Sequence, residues 1–436
     1  MHPSTARASL SLGVVLLAGT ALVGVQAPPG PPSPTTAATA APTPGDALSA
    51  RIAALQDELE ASPKDDEAWA ELGAAYVEQA RVTADASYYP RAEGALEKSM
   101  RLRPANNDDA LTGHGALANA RHEFSAAADY AEQAQEINPA NSTSWGVSAD
   151  ALVQLGDYEG ATAATQRMLD LRPGLASFSR ASYDLELHGE HRRAVEALEM
   201  ALENAYSPAD VAFCRYYLGQ LTFTSGEVEQ AQAQFERGLD AVPEDPLLLA
   251  GRARVDASLG REGRAREGYD AVVAARPLPE FLVEYAFYLE SLGDTEAADE
   301  QFAAFDAVQR IFASNGVQDD LTSAYVAADR EQPKVALRHA RAEWSARQNV
   351  DSADAMAWAL HRAGRDTEAL DYAVKANRLE GDNALFLYHL GIIEKSLGMK
   401  SEAREHLRSA LDTNRSFSPW HAPLAEQALH ELGGAG

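Results

Sequence analysis

The chain has 436 residues, enough for two or three ordinary domains or one long repeat array, and 46% of them are hydrophobic, which excludes a disordered protein. Its 65 acidic and 37 basic residues give a formal charge of −28. Such a surface repels phosphate backbones, so we expect no nucleic-acid binding. One cysteine, Cys214, excludes an intramolecular disulfide.

Residues 1–27 predict an export signal or a membrane anchor. Arg7 is followed by an apolar run that ends in Val25, Gln26 and Ala27, the small-residue pattern of a cleavage site. We expect the mature chain to begin near Pro28, outside the cytoplasm. The run is also close to the length that spans a bilayer, so an uncleaved anchor is the alternative. Residues 28–45 contain Pro, Ala and Thr without a charge, which predicts a flexible linker because this composition cannot form a packed core.

Beyond the linker the sequence is periodic, with a repeat of about 34 residues that two sets of residues mark independently. Prolines recur once per period, with one gap of two periods, at Pro104, Pro139, Pro173, Pro243 and Pro277. Glycines do the same, again with one double gap, at Gly156, Gly189, Gly226, Gly260, Gly293, Gly364 and Gly398. The double gap between the glycines contains one repeat in which Glu331 takes the place of the glycine.

Alanine costs least to place in a helix, and runs of Val, Ile or Thr are few, so the composition predicts an all-α fold. We predict a half-repeat at 46–65, about seven repeats at 66–312, about three at 313–417, and a capping helix and tail at 418–436. Insertions near VTADASYYP and ASNGVQDD (313–320) should lengthen two connections, and the second is a candidate hinge.

The best copy of the repeat is LGQLTFTSGEVEQAQAQFERGLDAVP, residues 218–243. Its Leu218, Gly219, Gly226, Ala231, Phe235 and Pro243 follow the pattern of the tetratricopeptide repeat. The chain therefore resembles the tetratricopeptide repeat family. The resemblance implies that each repeat is a pair of antiparallel helices, A and B, in which small residues let the two helices approach closely, glycine at the turn between them can take a positive φ, and proline ends helix B. It also implies a right-handed α-solenoid whose concave wall, formed by the A helices, binds a protein or peptide. The chain is also similar to exported tetratricopeptide repeat proteins of high-GC bacteria, which implies export.

No motif in the sequence carries catalysis, because GxSxG, a P-loop and HExxH are all absent. His188 and His191 flank a turn with Glu186 and Glu190, but no third ligand has metal spacing, which favours a solvated polar turn. Five further histidines lie in the C-terminal part at irregular spacing: His361, His389, His406, His421 and His430. We predict a non-catalytic scaffold without a cofactor or metal. The alternative is an envelope enzyme accessory, or a metal- or ligand-binding protein, that uses the same fold.

Residues at the fifth, ninth and twelfth positions of each repeat should face the groove, because they lie on the A-helix face opposite helix B. The candidate partner-binding residues at these positions are Tyr183, Tyr216, Phe223, Arg254, Phe287, Tyr325, Trp358, His361, Tyr388 and Lys395. The ninth position changes from small and polar in early repeats to aromatic in later ones. This change predicts a site centred on Phe287, Tyr325, Trp358 and Tyr388, where Trp358→Ala and Tyr325→Ala should weaken partner capture without loss of stability. The alternative is that these rings pack between neighbouring A helices.

Arg254 is also the groove-facing member of a basic cluster on an acidic protein. The cluster consists of Arg252, Arg254, Arg261, Arg264, Arg266 and Arg276. Two interpretations are open, an acidic-ligand site that uses Arg254 or an ordinary solvated helix pair.

Overall fold

A computed structural model describes residues 44–83, 85–314, 317, 319–379 and 381–433, and the predicted export signal and most of the linker lie outside them. Within these ranges the chain is an all-α, right-handed solenoid. It starts with the single helix α1 (Pro44–Ala61). A final helix, α22 (His421–Glu431), packs on the last helix pair.

Between these two ends, the described residues form ten antiparallel helix pairs. The first helices of the pairs, the A helices, are α2 (Asp66–Thr83), α4 (Asp108–Ala120), α6 (Ser142–Leu155), α8 (Leu175–Leu187), α10 (Pro208–Thr224), α12 (Pro246–Ser258), α14 (Pro279–Ser291), α16 (Asp320–Asp329), α18 (Val350–Arg362) and α20 (Ala384–Ser396). The second helices, the B helices, are α3 (Tyr89–Leu102), α5 (Phe124–Ile137), α7 (Tyr158–Leu171), α9 (His191–Glu203), α11 (Val228–Ala241), α13 (Glu262–Ala275), α15 (Thr295–Ser314), α17 (Pro333–Ala346), α19 (Asp366–Ala376) and α21 (Lys400–Thr413).

Each pair is held by a buried small residue on its B helix, because a methyl group lets the two backbones approach closely. The ten alanines at this position are at most 1% exposed: Ala92, Ala127, Ala161, Ala194, Ala231, Ala265, Ala298, Ala336, Ala369 and Ala403. Larger side chains fill the space between neighbouring pairs, as Phe235 does between α10 and α12: a β-carbon added to Gly219 or Gly251 would lie 2.3 Å or 2.5 Å from its ring.

The turns between the A and B helices use a left-handed backbone conformation. All seven glycines that mark the period in the sequence have positive φ, from 67° to 80°. Glu331 takes the same conformation, with φ of 57°, in the repeat that lacks the glycine. The first insertion forms a 3₁₀ turn, Ala86–Tyr88, between α2 and α3. The second begins inside α15, which is 20 residues long, and several of its residues lie outside the described ones, so the hinge stays a prediction.

The A helices line the inner side of the solenoid. A helices of neighbouring pairs pack directly on one another in most of the array, whereas B helices of neighbouring pairs have fewer contacts. The side on which successive helices lie closer together is the concave one. The inner wall of the molecule is therefore formed by the A helices.

The solenoid curves tightly enough for residues about one superhelical turn apart to touch. The hydroxyl oxygen of Tyr158 accepts a hydrogen bond of 2.8 Å from the backbone of Val350, 192 residues later. Gln154 accepts hydrogen bonds from Arg347 at 2.9 Å and from Asn349 at 3.0 Å. These separations correspond to between five and six repeats, so successive turns of the superhelix are in direct contact.

Other residues about one superhelical turn apart are also in contact, at points before and after Tyr158 in the chain. Arg276 donates to the carbonyl of Val82, 194 residues away, at 3.0 Å, and Asn414 donates to that of Phe223, 191 residues away, at 2.7 Å. The closest approach is at Gly156, where an added β-carbon would lie 2.4 Å from the carbonyl oxygen of Gln348. The contact between turns therefore extends along much of the array.

Two acidic side chains, Glu186 and Asp351, meet at this contact between turns. Burial raises the pKa of Asp351 to about 7. The Arg347 guanidinium acts to lower this pKa, and the nearby Asp354 acts to raise it further. Burial and the nearby Asp351 carboxylate raise the pKa of Glu186 to about 7. Both groups are more easily protonated in the folded chain than in the unfolded one, where such carboxyls titrate near pH 4.

We expect Gly156→Ala to lower the melting temperature more than Gly293→Ala does. Both glycines have φ of 80°, so both substitutions carry the same backbone strain of about 1 kcal/mol. Only Gly156 faces a backbone oxygen, since an added β-carbon at Gly293 meets nothing within 4 Å. Thermal melting followed by circular dichroism should give a difference of about 2 °C or more. Equal melting temperatures would show that the contact between turns adds nothing to stability.

We also expect the stability of the folded chain to depend on pH through Glu186 and Asp351. Because folding raises the pKa of these acids, the folded state binds more protons between pH 4 and 7. The free energy of unfolding should therefore fall as the pH rises across this window. Glu186→Gln and Asp351→Asn should melt at higher temperature than wild type at pH 8, and the gain should shrink towards pH 4. The exposed Glu190→Gln is the control and should leave the melting profile unchanged.

Candidate functional site

The aromatic row predicted along the A helices exists, but its side chains are buried. Phe287, Tyr325, Trp358 and Tyr388 lie on α14, α16, α18 and α20 and are between 2% and 7% exposed. The expectation of an exposed row whose residues do not affect stability is wrong. In this tightly curved solenoid the rings pack against each other and against the chain's own C-terminal residues.

Polar groups beneath the row fix the orientation of two rings. The indole nitrogen of Trp358 donates to Oδ1 of Asp329 at 2.7 Å, and the hydroxyl of Tyr325 donates to Oδ2 of Asp354 at 2.8 Å. The Nδ1 atom of His389 lies 2.7 Å from the same Asp354 oxygen. Substituting Trp358 or Tyr325 would thus remove one hydrogen-bond donor from a buried carboxyl, which costs about 1–3 kcal/mol.

The electrostatics of this cluster differ between its two carboxyls. Burial raises the pKa of Asp354 well above its usual range. Burial also acts to raise the pKa of Asp329, but His421, His389 and Trp358 together outweigh it, and the pKa of Asp329 lies below its usual value. Burial and the neighbouring His421 hold the pKa of His389 far below its usual range. Folding therefore favours the ionised form of Asp329 and the protonated form of Asp354.

Three of the C-terminal histidines converge on Trp358, a grouping that the irregular spacing in the sequence did not reveal. The ring centres of His389, His361 and His421 lie 4.0, 5.0 and 6.2 Å from that of Trp358. His406 is elsewhere, 2.7 Å from Glu394, and His430 is exposed. Among the described residues, no three His, Cys, Asp or Glu side chains are placed to hold a metal ion.

Ser418, His421 and Asp329 form a line of contacts that resembles a serine hydrolase triad. The Nδ1 atom of His421 lies 3.0 Å from the Ser418 hydroxyl oxygen, and its Nε2 lies 3.2 Å from Oδ1 of Asp329. The Ser418 hydroxyl also accepts the backbone N–H of His421 at 3.0 Å, and Ser418 is only 2% exposed. A serine that no substrate can reach stabilises the start of α22 instead.

Arg254 is buried in an ion pair, so the proposal that it receives an acidic ligand from the groove is wrong. Its guanidinium donates to both carboxylate oxygens of Glu284, at 2.8 and 2.6 Å, and to Gln220 at 2.6 Å. Tyr269 donates to the same carboxylate at 2.7 Å. Burial acts to lower the pKa of Arg254, but Glu284 outweighs it and the pKa is raised. The arrangement joins neighbouring pairs from the inside.

The remaining members of the basic cluster are used by the fold or exposed. Arg261 pairs with Asp256 at 3.0 Å, and Arg266 pairs with Asp294 at 2.9 Å. Arg252 and Arg264 are exposed on α12 and α13. These contacts match an ordinary helix pair.

The other predicted groove residues divide by their accessibility. Tyr216 and Phe223 on α10 are at most 2% exposed and belong to the core. Tyr183 on α8 is partly buried, and burial raises its pKa well above the usual value. His361 lies 2.6 Å from Asp366 and Lys395 lies 2.6 Å from Glu431, with 15% and 31% of their side chains exposed. These last three remain partly accessible on the inner wall.

The C-terminal residues were the part of the site that the repeat pattern could not reveal. Trp420 lies on Phe287 with ring centres 6.4 Å apart, and Phe417 lies on Tyr388 at 5.8 Å. His421 lies on Tyr388 at 5.2 Å. The one signal in the sequence is the group FSPWH directly after the last repeat, where a plain capping helix would not need two aromatic rings.

We expect Arg254→Ala to destabilise the chain by about 3–5 kcal/mol, because it leaves the Glu284 carboxylate buried without its partner. The control is Arg252→Ala, an exposed arginine on the same helix, which should change stability by no more than about 0.5 kcal/mol. Urea denaturation of the two variants measures the difference. Similar midpoints would contradict the buried pair.

The model of the tetratricopeptide repeat family matches two segments of the chain, residues 113–176 and 216–280. No curated protein matches the sequence. Among solved structures, the chain is similar to a tetratricopeptide repeat protein from Parabacteroides merdae, with 17% identity over 60% of this chain and 99% of that one and a TM-score of 0.36. It is also similar to yeast Tom70, with 15% identity over 89% of this chain and 86% of that one and a TM-score of 0.39.

A third similar structure is the Cut9-Hcn1 hetero-tetramer of the APC/C, with 12% identity over 89% of this chain and 96% of that one and a TM-score of 0.39. Identities and TM-scores this low are no evidence of a shared function. The family assignment depends instead on the matched segments, on the sequence period of about 34 residues and on the ten helix pairs with their buried alanines. On this basis residues 113–176 and 216–280 are tetratricopeptide repeats, and the other helix pairs of the described residues continue the same pattern.

Proposed function

We propose that this protein is an extracytoplasmic scaffold that binds a protein or peptide partner along its inner wall and catalyses no reaction. The observation that carries the proposal is that the wall already holds a peptide segment, its own. Residues 414–421 contact A helices from α14 to α20 through the aromatic rings of Phe417 and Trp420 and through His421, whose Nε2 lies 3.2 Å from Asp329. An aromatic wall with fixed polar groups is the kind of surface on which peptide anchors bind.

The accessible part of the wall defines where a partner would make first contact. Tyr183, His361 and Lys395 are partly exposed, whereas the other seven predicted residues are buried. The buried residues therefore shape and support the wall, and the three accessible ones are available at its surface.

The extracytoplasmic location is supported by the sequence of residues 1–27, which lie outside the described residues. The apolar run, the small-residue site at Ala27 and the uncharged linker all support export. Among the described helices, none has both the length and the apolar character needed to cross a bilayer.

A crosslinking experiment in the native cell envelope tests the proposal. A photoreactive amino acid placed at His361 or Lys395 should crosslink a partner protein, because both positions lie on the inner wall. The same amino acid at Arg101 or Arg192, exposed on the B helices α3 and α9, is the control and should give no such product. Intact-mass measurement of the recovered chain should give a mature N-terminus near Pro28.

Three results would contradict the proposal. Crosslinks only from α3 and α9, or none from any position, would reject the inner wall as the binding surface. A recovered chain in the cytoplasmic fraction with its N-terminus intact would reject the location.

A further inference from the structure

The C-terminal segment, residues 414–421, follows a path that an end cap does not require. A cap needs to cover only the last pair, α20 and α21. This segment instead reaches Phe287 on α14, three pairs before the last. It lies against the inner wall as a bound peptide would.

The contacts of the segment match the chemistry of the wall. The wall presents the rings of Phe287, Trp358 and Tyr388 together with the carboxylate of Asp329, and the segment presents an aromatic ring, Trp420, followed by an imidazole, His421. The Nε2 atom of His421 lies 3.2 Å from Asp329, and its ring meets that of Trp358 edge to face at 6.2 Å. The aromatic rings of the segment thus contact aromatic rings of the wall, and the imidazole of His421 lies beside the carboxylate of Asp329.

The segment and α22 belong to none of the ten helix pairs. Their attachment includes buried side chains, among them Phe417, Ala425 and Leu429, which lie in the same hydrophobic cluster as Trp358 and Tyr388. The half-exposed ion pair of Lys395 with Glu431, at 2.6 Å, is of a type that contributes no more than about 1 kcal/mol. Trp420 is only partly buried. Releasing these residues breaks no contact within any of the ten helix pairs.

We propose that the wall formed by Phe287, Asp329, Trp358 and Tyr388 is a binding site for a partner peptide that presents an aromatic ring followed by a histidine, and that Trp420 and His421 occupy this site until such a peptide displaces them. This inference rests on the proposed function, since it names the chemistry of the partner at the same wall. The apparent affinity for a partner is then reduced by the fraction of molecules in which the segment is bound.

A labelled peptide with the sequence of residues 414–433 tests the site in the full-length protein. Fluorescence anisotropy should show binding to the double variant Trp420→Ala, His421→Ala at least tenfold tighter than to wild type, because the resident anchors are gone. Adding Asp329→Asn to the double variant should weaken binding at least tenfold. His430→Ala, an exposed histidine on α22, should behave as wild type, and a peptide with alanine in place of its Trp and the following His should not bind.

Hydrogen exchange of the wild-type chain provides a second measurement that needs no variant. Excess unlabelled peptide should speed exchange of the α22 amides and leave those of α21 unchanged, because only the segment and α22 are displaced. Unchanged exchange in α22, or equal peptide affinity of wild type and the double variant, would overturn the proposal. So would a concentration-dependent dimer in ultracentrifugation whose mass doubles as segments are exchanged, since the occupant would then be a second copy.

The crosslinking experiment and the peptide experiment test the proposed function and the present proposal independently. If crosslinking finds no partner while the peptide still displaces the segment, the proposed function is rejected and the chemistry of the site is kept. If crosslinking succeeds while the peptide does not compete, the partner binds the inner wall without replacing Trp420 and His421.

Discussion

The close packing of the two helices in each pair is the constraint on which the rest of the structure depends. Each pair has an alanine that is at most 1% exposed at the point of contact, so each pair has nearly the same thickness. Equal units stacked with equal rotations give a regular superhelix. Its curvature brings Tyr158 to Val350 after 192 residues, so that successive turns of the superhelix are in contact.

The sequence predicts the local part of this structure well. Helix pairs, small residues at the contact and the positive φ of Gly156 or Glu331 all depend on neighbours within one period, and a single repeat carries that information. The burial of Trp358 and Tyr325 could not be predicted in the same way, because it depends on how closely neighbouring A helices pack and on where the C-terminal segment lies. Neither is written in the pattern of a single repeat.

Residues that act between turns were missed for the same reason. Asp351 looks like an ordinary helix-start residue, since acidic side chains are favoured there. Asp351 comes close to Glu186 only because the chain completes a turn of the superhelix between the two residues. The convergence of His361, His389 and His421 on Trp358 likewise joins two A helices to the terminal segment. The prediction that Arg254 lies on the inner side of its helix was correct. Its guanidinium, however, is already paired with both carboxylate oxygens of Glu284 on the next A helix.

The position of Trp420 and His421 at the end of the chain has a consequence for biosynthesis. Phe287 leaves the ribosome well before Trp420, the ring that covers it. At elongation rates of roughly 5–20 residues per second, the 133 residues from Phe287 to Trp420 take about 7–27 seconds to synthesise. During that interval Phe287 lacks the ring that covers it in the finished molecule, so a chaperone that recognises aromatic segments has access to it before the C-terminal segment is made.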